Sequence, residues 1–460
     1  MIFLKFTLAV LSIIITGYAG LRLFTGPRKE LPLGEVLCLS WGMGVGFVGL
    51  EGFLLTLFKH PLSLGYLLFF QIVFIIFVAL KLKRGFCCCC TASWYKQKIS
   101  YSPLAVFLLV IIIVEIAYVF LKASSLPFSA LNWDAWASWG FKAKIFFQEK
   151  AFPVQSCVVF PGFAHPDYPV LIPFAEAYIY FFLGQIHEPL IGCFCSFFYA
   201  ATVILFYYQL KRRFKIEFAL GGSLVLATIP SLVNLASTAY MDVPLAFYIT
   251  AGSLYIWRYL KEKDNFCLIM GAFFTGLGMW VKNEGFGFWV ALVLSCLAIC
   301  LWFKLDIHKK KFLSAVAFIP ALIYLPWLLF KCYFKLGVTY FQGPAAGNLL
   351  DLIKQRLPMA LEIWIKRGLD IGRWNIFWVG FIIALLWFLV RPREKLAWFL
   401  LFIVVLQLFF YFIIYIIWPI SLADLELQIF NSVDRLPLQL VTLVLFFICL
   451  QIGEKWRVNP

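Results

Sequence analysis

The sequence predicts an all-α polytopic membrane protein, on the basis of its composition, its long apolar runs and the placement of its basic residues. Of the 460 residues, 63% are hydrophobic and 13% are charged, and the mean hydropathy is +0.92. Soluble domains are about half apolar and about a quarter charged. The composition therefore excludes a chain of soluble domains and predicts helices that cross a bilayer.

The formal net charge of +16 does not indicate nucleic-acid binding in a chain of this composition. In membrane proteins an excess of Lys and Arg collects in short loops on the cytoplasmic side. We therefore expect the lipid bilayer as a partner and no nucleic acid.

A membrane-spanning helix needs roughly 20 predominantly apolar residues. By this criterion the sequence predicts about thirteen transmembrane helices. They are residues 2–20, 33–57, 62–80, 102–121, 190–210, 217–234, 243–260, 265–281, 285–303, 312–330, 375–390, 396–418 and 437–452. No small-residue cleavage site stands out after the first run, so we interpret it as a retained helix.

Residues 170–184 are apolar but short, and they contain Pro173 and Glu176. Segments of this length are typical of interfacial or re-entrant helices. If they do not cross, most of the 39 basic residues fall on one side, in short loops. The positive-inside rule then predicts an interfacial helix, an external N-terminus and an internal C-terminus.

In this topology the external face receives a long first loop, 122–189, which carries interfacial helices. It also receives the turns 235–242 and 282–284 and the loops 331–374 and 419–436. Polar residues far apart in sequence are therefore expected to converge on one side of the membrane, at the ends of packed helices.

The cysteine and histidine content predicts neither a disulfide framework nor a zinc site. The 4 His and 13 Cys show no paired metal-ligand spacing. The run at 87–90 lies in a basic segment that we place in the cytoplasm, where disulfides are not expected. Acylation of this run and plain low complexity both remain open.

The stretch 132–144 places Asp134 among three tryptophans, shortly after an apolar run. A carboxylate beside a bilayer is costly, which makes it a functional candidate. The tryptophans have a simpler explanation, because aromatic rings collect at the membrane–water interface.

Later in the same loop, His165 and Asp167 lie in a segment bracketed by prolines, His-Pro-Asp-Tyr-Pro. Proline restricts the backbone on both sides of such a pair. The element can bind a substrate, or it can simply begin the helix that follows.

Asp242 ends one span and opens the next, in the sequence Asp242-Val243-Pro244. A carboxylate there can cap the helix, where the macrodipole favours negative charge. The functional alternative is a second acidic group that faces Asp134 across a cavity.

Two short polar elements supply basic residues on the same predicted face. In the turn 282–285, Lys282 and Glu284 either neutralise each other, or Lys282 faces a phosphate as a compact charge. Before the last span, Arg435 either snorkels to lipid headgroups or binds phosphate oxygens bidentately.

In chain order these elements form a recognisable pattern. A carboxylate in the first long external loop is followed by a His-Pro element, a second Asp, a Lys-containing turn and an Arg in the last external loop. The pattern resembles the GT-C glycosyltransferases, and within them the branch of protein O-mannosyltransferases and lipid A aminoarabinose transferases. The resemblance covers about residues 100–455. Its best matches are 132–144, 165–169, 242–244, 282–285 and 432–436.

The resemblance implies an enzyme that passes a sugar from a polyprenyl-phosphate carrier to an acceptor hydroxyl on the far side of the membrane, usually with inversion. Asp134 would be the general base, and Asp242 would orient the acceptor or sugar, or assist the base. Lys282 and Arg435 would hold the carrier phosphate and stabilise the leaving group.

The resemblance also implies that His165, Asp167 and Glu284 contribute to substrate binding, and that an apolar groove takes the polyprenyl tail. The acceptor can be a lipid, a glycan or a protein. Because the sugar–phosphate bond supplies the energy, we expect no cofactor and no nucleotide-binding loop. The sequence has no paired Asp-Glu, which argues against a divalent metal but leaves its involvement open.

Two features depart from the family pattern. Ala135 follows Asp134 where many relatives carry a second acidic residue, which weakens assignment to the protein mannosyltransferases proper. The helices within residues 1–100 precede what would be the family's first span. We therefore divide the chain into N-terminal helices without an assigned role, 1–100, and a GT-C-like catalytic domain, 101–455.

Two other functions compete with this interpretation. A secondary transporter or flippase of a lipid-linked or small polar substrate would also carry charges in the membrane. Transporters often contain inverted repeats, and the sequence shows no such symmetry. A polymerase or ligase of lipid-linked glycans is the third reading. We expect a bacterial inner membrane, with the active site on the periplasmic face.

Overall fold

The computed structural model describes residues 1–25, 31–82, 102–126, 133–154, 165–337, 348–392 and 394–458. Within these ranges the regular secondary structure is helical, apart from one isolated bridge between Phe214 and Arg457. The predicted all-α class is therefore confirmed. The cysteine run at 87–90 lies outside the described residues.

The chain forms two compact units. The first comprises Met1–Gln209 with Ala236–Pro244, and the second comprises Leu210–Leu235 with Leu245–Pro460. The helices of the first unit are α1 (Ile2–Thr25), α2 (Leu33–Leu57), α3 (Leu64–Leu82), α4 (Pro103–Ser125), α5 (Gly140–Glu149), α6 (Leu171–Leu183) and α7 (Glu188–Lys211).

Helices α1 and α2 pack closely because glycine removes side chains at their crossing. A Cβ atom added at Gly17 would lie 1.8 Å from the Ser40 carbonyl oxygen, and one at Gly44 would lie 1.9 Å from that of Ile13. Only glycine permits such backbone approach. The sequence therefore fixes this helix pair through two small residues on facing positions.

Helix α6 is the short apolar segment that the sequence singles out, and it is 13 residues long. Every residue from Leu171 to Tyr180 is buried, and α6 packs against α1, α2 and α5. A buried polar network adds to this packing, since the Tyr178 hydroxyl donates to Gln71 at 2.9 Å and Gln71 donates to Glu51 at 3.2 Å. The N-terminal helices thus hold α6 in place, while its interfacial placement stays a prediction.

The second unit contains the remaining helices. They are α8 (Ile216–Ala227), α9 (Pro230–Ala236), α10 (Asp242–Glu262), α11 (Asn265–Met279), α12 (Asn283–Trp302), α13 (Lys309–Tyr333), α14 (Leu349–Gly368), α15 (Ile371–Trp374), α16 (Phe377–Val390), α17 (Ala397–Ile417), α18 (Leu422–Ser432) and α19 (Val441–Ile452). Ala236, the last residue of α9, and Asp242–Pro244, the first residues of α10, belong to the first unit.

Helix α14 is amphipathic, and its apolar side packs on α17 and α18 around Ala360, Tyr415, Leu425 and Ile429. On the same helix, the buried guanidinium of Arg356 donates to the carbonyls of Ile416 at 3.1 Å and Ile420 at 2.8 Å. A cation at a helix C-terminus binds carbonyls that lack partners inside the helix. Arg356 therefore anchors the end of α17 to α14.

The predicted count of thirteen membrane-spanning helices is not confirmed. Among the described residues, nine helices are long and apolar enough to cross if Leu422–Ile452, which contains α18 and α19, counts as one. The number is ten if the bent pair α8–α9 also counts as one. That pair meets at 66°, where Pro230 begins a new helix. Helices α11 and α16 are shorter than a span, and the tyrosines and Arg258 of α10 lower its hydropathy.

Candidate active site

Asp134 stands at the start of a helix with unusual geometry. A π-helical segment, Ala135–Trp139, follows it and continues directly into α5. Single π turns are rare and often occur at functional sites. The Asp134 carboxylate is partly buried. The structure therefore places this acid group at the start of a continuous helical segment.

The three tryptophans around Asp134 have different environments. The Trp133 side chain is 46% exposed, whereas that of Trp139 is 2% exposed. Trp136 is partly buried and contacts Trp133 edge to face, with ring centroids 5.6 Å apart. An interfacial role fits Trp133, and Trp139 belongs to the packed interior of the first unit.

Lys142 connects the helix after Asp134 to the turn at 165–169. Its side chain is fully buried. Its Nζ donates to the carbonyl oxygens of His165 at 2.7 Å and Tyr168 at 3.3 Å. The structure thus brings together two elements that the sequence presents as separate motifs.

Sequence reasoning assigned Lys142 no role, although one signal was present. Trp139, Lys142, Ala143 and Phe146 recur at three- and four-residue spacing, the pattern of one helix face. All four are buried. A lysine on an otherwise apolar face predicts a specific partner for its charge.

The turn itself is closed and strained. The Tyr168 N–H donates to the His165 carbonyl at 3.0 Å, and His165 adopts a positive φ of 42°, which is uncommon for a residue with a side chain. Asp167 is fully buried. The sequence predicted either a substrate-binding element or a helix start, and the turn does lead into α6 through Pro169.

A second polar cluster of the first unit joins α5, α6 and α7. Lys144 of α5 forms an ion pair with Glu188. Glu176 of α6 is fully buried and accepts a weak hydrogen bond from the Cys195 thiol at 3.9 Å. Its second oxygen, Oε2, and the hydroxyl of Tyr180 are buried and have no hydrogen-bond partner within the part of the chain that the structure describes.

Asp242 is the first residue of α10 and is fully buried. This position is favourable for a carboxylate because the helix N-terminus carries partial positive charge. The capping interpretation therefore has a structural basis. That Asp242 faces Asp134 stays a prediction.

In the second unit, Lys282 and Glu284 form the ion pair that their spacing allows. Lys282 Nζ lies 2.7 Å from Glu284 Oε1, and the two side chains are 4% and 13% exposed. Lys282 directly precedes α12, and the backbone of Gly285 approaches so closely that a Cβ would lie 2.2 Å from the Gly278 carbonyl. The turn therefore holds both charges in fixed positions.

Arg435 lies in the turn after α18. The Tyr415 hydroxyl of α17 shares a 2.7 Å hydrogen bond with Ser432, which lies three residues before Arg435. This contact attaches the end of α18 to α17, and sequence reasoning did not identify Tyr415.

Asp434, beside Arg435, is bound by a residue from a distant segment. Arg373 of α15 forms an ion pair with Asp434 and donates to Asp370 at 3.1 Å. One helix earlier, the Arg367 guanidinium lies 3.7 Å from the ring centroid of Phe430. These contacts attach α14 and α15 to the segment that carries Arg435.

One group of metal-type ligands occurs among the described residues, formed by Glu262, Asp264 and Cys267. The Asp264 carboxylate caps α11 by accepting from the Phe266 N–H at 3.0 Å. The group lies at the loop between α10 and α11, whose cytoplasmic location stays a prediction. Its capping role explains it without a metal.

Helices of membrane-spanning length, together with acidic and basic side chains fixed at helix ends, define an integral membrane protein with polar sites. Residues 181–341 match the family model of dolichyl-phosphate-mannose-protein mannosyltransferase, a family of the GT-C superfamily. The resemblance predicted from the sequence is confirmed over this region. No curated protein and no solved structure matches the chain.

The matched region contains Asp242, Lys282 and Glu284, whereas Asp134 precedes it and Arg435 follows it. Together with the apolar helices, the match supports a membrane enzyme of the GT-C glycosyltransferase type. The roles of the individual residues lie beyond what the match shows.

Proposed function

We propose that the protein transfers a sugar from a polyprenyl-phosphate carrier to an acceptor hydroxyl, on the non-cytoplasmic face of the membrane and with inversion at the anomeric carbon. The observation that carries the proposal is the mannosyltransferase family match at 181–341, within a chain of membrane-type helices. The expected setting is a bacterial inner membrane, with the reaction on the periplasmic side.

Inversion requires one displacement, in which the acceptor oxygen bonds to the anomeric carbon as the bond to the carrier phosphate breaks. In this step Asp134 acts as the general base and takes the proton of the acceptor hydroxyl. Its position at the start of the helical π and α5 segment supports this role, since a base must hold its geometry toward the reacting proton. Asp242, buried at a helix N-terminus, orients the acceptor or the sugar.

The carrier phosphate gains charge as the sugar leaves, and Lys282 and Arg435 are assigned to bind it. Fixed cations stabilise such developing charge because they need no reorganisation during the reaction. Glu284 holds Lys282 Nζ at 2.7 Å, which fixes the position of the ammonium before the carrier binds. Arg435 contributes a planar fork suited to two oxygens.

His165 and Asp167 are assigned to substrate hydroxyls or to the phosphate. Their turn is held to the helix of Asp134 through Lys142, which supports a joint role with the base. No cofactor enters the scheme, and because Lys282 and Arg435 supply positive charge, we expect transfer to persist after divalent metals are chelated.

The proposal is tested with purified protein reconstituted in lipid vesicles that contain a radiolabelled polyprenyl-phosphate sugar. Cell-envelope lipids, glycans and proteins are supplied as acceptors, and labelled products are separated by mass. Transfer of the label to an acceptor with inverted anomeric configuration is the expected result. Movement of the labelled lipid or of a polar solute across the vesicle membrane, with no transferred product, would instead support a flippase or transporter.

A further inference from the structure

The buried lysine Lys142 requires an explanation that the proposed reaction does not supply. Its side chain is fully buried, and moving an ammonium out of water costs several kcal/mol unless strong partners replace the water. A buried lysine is therefore expected to make polar contacts that an apolar residue at the same position could not make.

The contacts of Lys142 meet this expectation. Both carbonyls that receive its hydrogen bonds belong to one turn, at His165 and Tyr168. The His165 carbonyl also accepts the hydrogen bond that closes the turn. One ammonium therefore binds both ends of the segment that contains Pro166 and Asp167.

The conformation of the turn needs such support. His165 has a φ of 42°, and a non-glycine residue in this region is strained, so its surroundings must offset the strain. Charge-assisted hydrogen bonds are about twice as strong as neutral ones. The ammonium of Lys142 is placed to stabilise this strained backbone.

Aromatic contacts complete the link between helix and turn. The Trp139 ring contacts Tyr168 edge to face at 5.2 Å, and Tyr168 contacts His165 at 5.7 Å. Lys142 Nζ lies 5.4 Å from the Trp139 ring centroid, within the range of a cation–π interaction. Trp139, Lys142 and Tyr168 thus form one packed group directly after the π segment of Asp134.

We propose that Lys142 is a positioning residue that locks the turn 165–169 onto the helix following Asp134. It thereby fixes His165 and Asp167 relative to the acid group. The catalytic consequence rests on the proposed function, but the structural lock can be measured without it.

The chain offers a matched control on the same helix. Lys144 lies two residues further along α5 and pairs with the Glu188 side chain, and the two side chains are 23% and 22% exposed. Replacing Lys144 removes a lysine and an ion pair, while the carbonyl contacts of Lys142 stay.

The experiment measures hydrogen–deuterium exchange in lipid nanodiscs for the peptide that covers 165–170, whose exchanging amides include Asp167, Tyr168 and Val170. Lys142→Met should accelerate exchange there at least about tenfold. Lys144→Met should change it less than about twofold. Lys142→Arg keeps the charge and several donors and should retain part of the protection. Exchange in α1 and α2 should not change in any variant.

The same variants are then compared in the transfer assay. The decrease in kcat should parallel the increase in exchange at 165–170, so kcat should be lowest for Lys142→Met and intermediate for Lys142→Arg. A general folding defect would also raise exchange in α1 and α2. If Lys142→Met does not fold, Lys142→Gln, which keeps an N–H donor, is judged by the same exchange measurement.

Unchanged exchange at 165–170 in the folded Lys142 variant overturns the positioning role, whatever the activity. If the wild-type protein transfers no sugar but Lys142→Met accelerates exchange in this peptide, the lock stands and the proposed function fails.

Discussion

Lys142 in the first unit and Lys282 in the second are held by different kinds of partner. In the first unit, the buried Lys142 donates to the backbone carbonyls of His165 and Tyr168. In the second unit, Lys282 binds the carboxylate of Glu284, and Arg373 binds that of Asp434. A cation on carbonyls fixes the backbone that carries them, whereas an ion pair fixes two side chains and cancels their net charge.

The two kinds of contact have different structural effects. The predicted acid groups Asp134 and Asp167 lie in the first unit, where the lysine orders a turn. The predicted phosphate-binding residues Lys282 and Arg435 lie in the second unit, where carboxylates keep nearby cations in place. Substitution of Lys142 should therefore affect backbone order, and substitution of Lys282 should affect charge balance.

The largest effect of such a substitution is expected at Lys282. Lys282→Met leaves the Glu284 carboxylate mostly buried without its cation, which should lower the unfolding free energy by about 3 kcal/mol. The double variant Lys282→Met/Glu284→Gln removes both charges and should recover most of that stability. Carrier use should not recover, because the phosphate-binding cation is still absent. Thermal unfolding in detergent and the KM for the carrier measure the two effects separately.

The exposed pair of Lys366 and Glu362 is the matched control, with side chains 73% and 63% exposed. The equivalent substitutions there should leave the melting temperature nearly unchanged, because exposed ion pairs are screened by solvent. Full recovery of carrier use in the double variant at 282 and 284 would remove Lys282 from the phosphate site.

An intermediate effect is expected at the pair of Arg373 and Asp434, whose side chains are 38% and 18% exposed. Because Asp434 adjoins Arg435, breaking the pair should raise the KM for the carrier about threefold to fivefold, equivalent to roughly 1 kcal/mol. The charge-swapped variant Arg373→Asp/Asp434→Arg should restore part of the loss. If the KM of the charge-swapped variant for the carrier is no lower than that of the worse single variant, the pair does not support Arg435.

The smallest effect concerns Glu394, which bridges Arg213 at 2.8 Å and Lys261 at 2.6 Å. Burial raises the pKa of this carboxyl, but the hydrogen bonds and charges of Lys261 and Arg213 outweigh it and leave the pKa below 4.5. The ionised form is thus favoured in the folded protein, so its contribution to stability is present above pH 4.5 and is lost as the pH falls through the lowered pKa.

Glu394→Gln should therefore weaken this acid dependence of the melting temperature and leave carrier use unchanged at neutral pH. An identical acid-induced decrease in wild type and variant would show that another group is responsible.

The fold class could be predicted from the sequence because apolar runs of this length have few alternatives. The helix count could not, because Pro230 breaks one run into two helices at 66° and two other runs form short helices. Hydropathy averages over a window and does not register where a backbone bends.

Some contacts of the candidate site could be predicted from the sequence and others could not, for physical reasons. Lys282 and Glu284 are two residues apart, so their pairing follows from local geometry. Arg373 and Asp434 are 61 residues apart in sequence, and only tertiary packing joins them. Lys142 binds backbone carbonyls, which every residue carries, so no side-chain pattern identifies its partners.

The most direct test of the proposed chemistry is the single-turnover rate of sugar transfer by Asp134→Asn with the donor already bound. The amide keeps the size of the side chain but cannot accept the acceptor's proton as a base, so the rate should fall at least about 100-fold. Glu149→Gln, at the exposed end of the same helix α5, should react at the wild-type rate. Transfer by Asp134→Asn at the wild-type rate would contradict the account.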